Sequence, residues 1–309
     1  MIAMRDENNA PPEKNTHHPL TQASTIKEVL SHPAFAGFAK FLLPLEQGYQ
    51  EDMPLSDIAS LLPFHRNVDA ARAIDVLNEM MDMVAAGQPL FHEIYTETEK
   101  QTDPRKAYTG LFFFPGNPGA PFAVICAGGG FQHVGSIHEG FPYALALSRL
   151  GYNAFVVQYR VGGAEVACED LAAALTHIFR NTETLGVSTA GYSLWGASAG
   201  ARMAAYLGSH GAEAYGGAAL PRPAAVIMQY TGHTDVGDTE SPTFIAIGEE
   251  DTIVDWHTMA QRMDMLKGMG VDTEFYVYPH LGHGFGLGFG TTAEGWFDLA
   301  VRFWEKHRR

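Results

Sequence analysis

The chain has 309 residues, room for one large core and a modest appendage, since single cores stop growing near about 250 to 300 residues. Its 46% hydrophobic and 18% charged content is that of an ordinary globular protein, and a formal charge of −15, from 20 basic and 35 acidic side chains, argues against nucleic acid or an anionic membrane as partner. The opening MIAMRDENNA has no basic region leading into an apolar run, and no uninterrupted apolar stretch of about 18 residues follows. Neither a secretory signal nor a membrane span is therefore expected, and a cytoplasmic location follows by default.

In chain order, residues 1–20 are polar and punctuated by prolines and are expected to form a disordered tail. Over 21–87 apolar residues recur at helical spacing: Phe35, Phe38, Phe41 and Leu42; then Leu55, Ile58, Leu61 and Leu62; then Val68, Ala71, Ile74, Leu77 and Met81. Pro44, Pro54 and Pro63 divide this preface into three or four short helices, and Gly87 is a C-terminal stop. The period then changes to that of strands at 91–96 and 109–114, which read as an antiparallel hairpin followed by the turn-forming Pro115-Gly116-Asn117-Pro118-Gly119.

Beyond that turn, apolar β-rich runs at 122–127, 153–159, 192–195, 225–230, 243–247 and 274–278 alternate with helical stretches at 141–150, 165–181, 199–209, 257–268 and 293–307. This alternation predicts a mostly parallel central sheet with helices on both faces, in an α/β fold carrying an N-terminal helical segment. Cys126 and Cys168 are too few for a disulfide framework or a zinc cluster. Each sits in an apolar run and is expected to be a buried free thiol, so no metal is anticipated.

The strongest local signal is Gly196-Ala197-Ser198-Ala199-Gly200, set between the strand Tyr192-Ser193-Leu194-Trp195 and a helix starting near Ala199. A sharp strand-to-helix turn pushes such a serine outward and needs neighbours with almost no side chain. The following helix points its free N–H groups at the serine, where they favour negative charge developing on a substrate oxygen. A turn of small residues could also serve only close packing, but the flanking elements favour a nucleophile. Further donors come from Ala127-Gly128-Gly129-Gly130-Phe131 after the 122–127 strand. Glycines let N–H groups turn into a cavity, and Gly129, Gly130 and Ala199 are the candidates for an oxyanion hole. The loop lacks the spacing of a dinucleotide or P-loop cradle.

Of the late histidines, His283 lies in Pro279-His280-Leu281-Gly282-His283-Gly284-Phe285, and its flanking glycines would let a loop carry the imidazole to Ser198. His280 is its rival. The loop Gly248-Glu249-Glu250-Asp251-Thr252-Ile253-Val254-Asp255 holds four carboxylates, of which Asp255 is placed to cap the next helix and Glu249 and Glu250 to face solvent. Phe131, His133, His138, Glu139 and Tyr230 lie near strand C-termini, where ligands bind in open α/β sheets, and are candidates for a substrate pocket.

Taken together, Gly196 to Gly200, Ala127 to Phe131, Asp251 and Gly282-His283-Gly284-Phe285 resemble the α/β-hydrolase superfamily. Within it the chain looks like the acetyl esterase, acetylxylan esterase and hormone-sensitive-lipase-like carboxylesterase branch. The likeness spans roughly 91–309, so 88–309 would be the catalytic domain. Ala127 stands where the lipase-like HGGG motif has histidine, which sets the chain apart from the hormone-sensitive-lipase family proper.

The resemblance implies the order Ser198, Asp251, His283 for nucleophile, orienting acid and base. The spacing of Asp251 from Gly248 is the family's. It also implies a small-molecule ester substrate, an acyl-enzyme and no cofactor. A prolyl-oligopeptidase-type peptidase or amidase and a non-catalytic hydrolase-like binding protein are the competing readings, and a homo-oligomer is compatible with the sequence. In this branch an N-terminal helical segment often caps the site. The Phe-rich stretch from Pro33 to Pro63 could do so, or could pad a sheet face. Trp195, Phe131, Tyr230 and Phe285 are expected to ring the entrance and favour short acyl groups, whereas a greasy cap of Phe35, Phe38 and Phe41 would favour long ones.

Overall fold

The computed structural model of the protein describes residues 18–308. The expected tail over 1–20 therefore lies outside the described residues, apart from 18–20.

Eight strands form one sheet: β1 Phe91–His92, β2 Gly110–Phe114, β3 Pro121–Cys126, β4 Asn153–Gln158, β5 Ser188–Ala197, β6 Ala225–Gln229, β7 Thr243–Gly248 and β8 Thr273–Tyr278. Their spatial order is β1-β2-β4-β3-β5-β6-β7-β8. From β4 to β8 every pair is parallel, while β1 and β2 run antiparallel at one edge. The central strands β4 to β7 have no exposed residue, apart from the start of β5, because helices cover both faces, and such strands read as continuous apolar runs. The expected pairing of the first two strands is present, but not as a hairpin. Only Phe91 and His92 pair as a strand, and a helix over Glu97–Thr102, started by a Thr96–Glu99 capping box, lies in the connection. The turn after β2 leads to a strand that does not neighbour it, since β4 lies between β2 and β3.

Which helix covers which face follows from register. β5 and β6 pair Trp195 with Ile227 and Leu194 with Val226, and successive side chains alternate between faces. Trp195 meets Phe297 and Trp304 of the helix Trp296–His307, whereas Val226 lies against Gly208 of the helix Ala199–His210. These two helices therefore sit on opposite sides. The helix Phe141–Arg149 joins the first through Tyr143, which packs on Trp296 and Phe297. The helix Ala164–Arg180 packs beside Ala199–His210. Cys126 and Cys168 are buried free thiols, and burial pushes the Cys126 thiol well above its ordinary range.

The preface forms a helix over Ile26–Ser31, three short 3₁₀ segments and the helix Ala70–Ala85, capped by Asp69 and ended by Gly87 at φ 78°. Phe38 packs on Phe91 and Phe112, and Phe41 on Phe91. These rings pad the β1–β2 edge. Among the described residues no helix is long and apolar enough to cross a membrane.

Candidate active site

Strand β5 ends at Ala197 and the next helix begins at Ala199, leaving Ser198 alone in the turn at φ 50° and ψ −115°. A side chain in that region strains the backbone by about 1–3 kcal/mol and is kept only where its surroundings enforce it. Here the flanking glycines do. A Cβ on Gly196 would lie 2.3 Å from the carbonyl carbon of Gly200, and one on Gly200 would lie 1.9 Å from the carbonyl oxygen of Cys126. The turn thus lies flat on the end of β3. Of the other non-glycine residues with positive φ, Phe131, Tyr230 and His280 follow β3, β6 and β8, so strain gathers at the C-terminal edge of the sheet.

His283 reaches this edge from the loop after β8. Its Nδ1 lies 2.7 Å from Asp251 Oδ2 and its Nε2 lies 2.9 Å from Ser198 Oγ. A carboxylate only accepts, so Nδ1 carries the proton and Nε2 is left to accept from the serine hydroxyl. The second oxygen of Asp251 accepts the N–H groups of Ile253 (2.8 Å) and Val254 (2.9 Å), and its side chain has no exposed surface. The carboxylate is therefore fixed before any substrate arrives. His280 is 83% exposed and pairs with Glu250, and Asp255 caps the helix Trp256–Gly268, so neither comes to Ser198.

The N–H of Gly128 is taken by Glu139 Oε2 at 2.7 Å, while among the described residues those of Gly129 and Gly130 donate to no protein acceptor. The Ala199 N–H occupies the first helical turn, where no intrahelical acceptor exists. The N–H groups of Gly129, Gly130 and Ala199 are thus left without a protein acceptor, and the glycine loop approaches the serine at Gly128, where a Cβ would lie 2.9 Å from the Ser198 Cβ.

The remaining expected pocket residues are placed differently. Tyr230 and His133 have no exposed surface, and Trp195 and Phe285 are each 1% exposed, so none of the four can ring an entrance. Trp195 faces the C-terminal helix. Tyr230 packs its ring on His283 at 4.8 Å and on Phe285 at 4.7 Å, standing behind the imidazole. His133 stacks on Phe64, and His138 donates from Nε2 to the Gly284 carbonyl at 3.0 Å. Burial, followed by the neighbouring His65, lowers both imidazoles to about 4. His138 keeps partial exposure, and so does Phe131. The Phe131 ring meets Tyr159, which lines a cavity of about 740 Å³ together with Phe41, Tyr49, Tyr108, Gln158 and Arg160.

Two residues beneath the site escaped the sequence reading. His65 comes from the preface, in the turn after Pro63, and its Nε2 lies 3.2 Å from Glu139 Oε2; Phe64 beside it covers His133. Neither belongs to a periodic stretch. A histidine in a proline-bounded turn is their one sequence signal.

No protein-family model and no curated protein sequence matches the chain. Solved structures do. The chain is similar to MGS-M1, an α/β-hydrolase enzyme from a Medee basin deep-sea metagenome library, with 23% identity and a TM-score of 0.56 over 65% of this chain and 93% of that one. It is similar to an acetyl ester-xyloside bifunctional hydrolase from Caldicellulosiruptor lactoaceticus, with 20% identity and a TM-score of 0.61 over 70% and 95%. It is also similar to esterase 2 of Thermogutta terrifontis phosphorylated by paraoxon, with 19% identity and a TM-score of 0.55 over 64% and 88%. With its parallel sheet, its strained serine turn after β5 and these neighbours, the chain has the α/β-hydrolase fold.

Proposed function

We propose that the protein is a serine carboxylesterase acting on short-chain acyl esters, with residues 88–309 as the catalytic domain and 21–87 as an appended segment. The observation that carries this is the hydrogen-bonded series Asp251, His283, Ser198, ending on a serine held in a strained turn. In the proposed reaction Ser198 Oγ attacks the ester carbonyl while its proton passes to His283 Nε2, and Asp251 steadies the imidazolium. The oxyanion sits on the N–H groups of Gly129, Gly130 and Ala199. Collapse breaks the bond to the alcohol, which leaves with the proton from His283. Water, deprotonated by His283, then releases the acid and restores the serine. No cofactor enters these steps.

Support for the reaction class comes from the neighbours: the Thermogutta esterase is phosphorylated by paraoxon, and the Caldicellulosiruptor protein is named for acetyl esters. Support for short acyl groups comes from structures of that same esterase bound to propionate and to butyrate. It comes also from Phe38 and Phe41, whose rings are taken up against Phe91 and Phe112 of the edge strands, and from Phe35, which is buried against Phe38, so that the three do not stand free as a greasy cap. The peptidase reading finds no propeller in the preface. A purely binding role would leave the serine turn and its free donors without a purpose.

With p-nitrophenyl acetate, Ser198→Ala should lower kcat by about 10⁴-fold or more while circular dichroism stays unchanged. Across acyl lengths kcat/KM should fall beyond butyrate. A steady rise to decanoate would refute the short-acyl part.

A further inference from the structure

We propose that Glu139 and His65 are positioning residues of the Ser198 centre, a buried pair that ties the glycine loop and the histidine loop to one another. The inference rests on reading that centre as an esterase site. Glu139 closes the short helix Ser136–Glu139 and has no exposed surface. Its Oε2 accepts the Gly128 N–H at 2.7 Å and faces His65 Nε2 at 3.2 Å; its Oε1 accepts the Tyr230 hydroxyl proton at 2.6 Å. Each partner leads to a different part of the site. Gly128 immediately precedes the free donors of Gly129 and Gly130. Tyr230 carries its ring against His283, and its hydroxyl accepts the Gly286 N–H at 3.3 Å. His65 belongs to the preface.

The turn carrying His65 clasps both loops. The Arg66 N–H donates to the Gly284 carbonyl at 3.1 Å, one residue beyond His283. A Cβ on Gly284 would lie 2.6 Å from the His65 Cα, and one on Gly135 would lie 3.0 Å from His65 Nε2. The His65 ring also meets His138 edge-on at 5.5 Å, and His138 holds the same Gly284 carbonyl. The preface thus enters the site as a structural member.

Packing alone does not call for a charge here. A buried carboxylate costs several kcal/mol in desolvation, and apolar residues of similar volume often fill such sites at no loss of stability. What a carboxylate does, and an apolar side chain cannot, is accept from three donors at once and so fix three segments in one geometry. Catalysis needs that geometry, since a shift of about 1 Å between donors and nucleophile can cost about 10²-fold in rate.

The test compares kcat and KM for p-nitrophenyl acetate in full-length wild type, Glu139→Gln, Glu139→Ala, His65→Gln and His65→Ala, with Ser198→Ala alongside. Glu139→Ala should lower kcat by about 10²-fold and leave KM within about threefold, because the donors act in the transition state. Glu139→Gln keeps one acceptor but turns an N–H toward a donor, and should fall between. His65→Ala should lower kcat by about tenfold, and His65→Gln, which restores an N–H facing the carboxylate, should recover most of that loss. If Glu139→Ala does not fold, the His65→Ala and His65→Gln pair decides. Unchanged kcat in the Glu139 and His65 variants, or losses confined to KM, overturns the proposal while Ser198→Ala remains inactive. Hydrolysis that survives in Ser198→Ala overturns the esterase reading and this inference with it.

Discussion

Replacing Gly200 by alanine tests whether the serine turn must press against β3. The added Cβ would stand 1.9 Å from the Cys126 carbonyl oxygen and 2.6 Å from that of Ala127. Carbon and carbonyl oxygen approach to about 3.3 Å without penalty, so a separation of more than about 1 Å is needed. Both obstacles are backbone, and Ala127 is further tied by the Tyr159 hydroxyl at 2.7 Å, so the strand cannot yield as a flexible side chain would. Overpacking of a rigid core typically costs about 1–3 kcal/mol, and a backbone clash falls at the upper end. At about 2–4 °C per kcal/mol, a loss of about 3 kcal/mol lowers Tm by about 6–12 °C. The same displacement separates Ser198 from Gly129 and Gly130, and should reduce kcat by about 10²-fold. Gly268→Ala is the control, because a Cβ there meets nothing within 4 Å and a helix terminus accepts alanine. Differential scanning fluorimetry and steady-state kinetics read both effects. A Gly200→Ala protein with wild-type Tm and kcat would refute the argument.

His283→Ala and Asp251→Asn should each lower kcat strongly, and the double variant should lose far less than the product of the two, since the groups act as a unit. His280→Ala, on the exposed rim, should be mild; the reverse ranking of the two histidines would make His280 the base. Acid should destabilise the fold in two steps. His133 and His138, lowered to about 4 by burial, stay neutral when folded while the unfolded chain takes up protons near pH 6.5, so stability present above about 6.5 is lost as pH falls toward 4. Glu139 is subject to burial, which pushes its carboxyl up, but His65, His138 and the Tyr230 hydroxyl outweigh it and bring the group to about 2. Its contribution is lost between about pH 4.5 and 2. Melting curves from pH 8 to 3 check the order, and a Tm unchanged from pH 7 to 4.5 contradicts it.

The central strands and their helices were legible because β3 to β7 are apolar runs bounded by turns, and a buried parallel strand has little choice of neighbour. The edge was harder. Phe91 to Thr96 has strand composition, but a Thr96–Glu99 capping box wins over it and starts a helix. Ser198, Asp251 and His283 each lie in a short loop directly after a strand, so sequence order alone brought them to one edge of the sheet. The pocket wall was not readable in the same way. Trp195 lies on a strand, where register decides the face and turns it toward the C-terminal helix, whereas Tyr230 and His133 lie in loops beyond the strand ends, whose inward packing no periodic pattern reports. His65 lay beyond reach, since its contact with Glu139 joins positions with no shared pattern.

The central claim, that Ser198 is the nucleophile of an acyl-transfer enzyme, is tested most directly by covalent labelling. The protein is treated with a fluorophosphonate, digested and mapped by mass spectrometry. The account predicts one adduct on Ser198, formed in step with loss of p-nitrophenyl acetate hydrolysis, strongly slowed in His283→Ala and absent in Ser198→Ala. Hydrolysis that persists after full labelling of Ser198, or an adduct on another residue that accompanies inactivation, would contradict it.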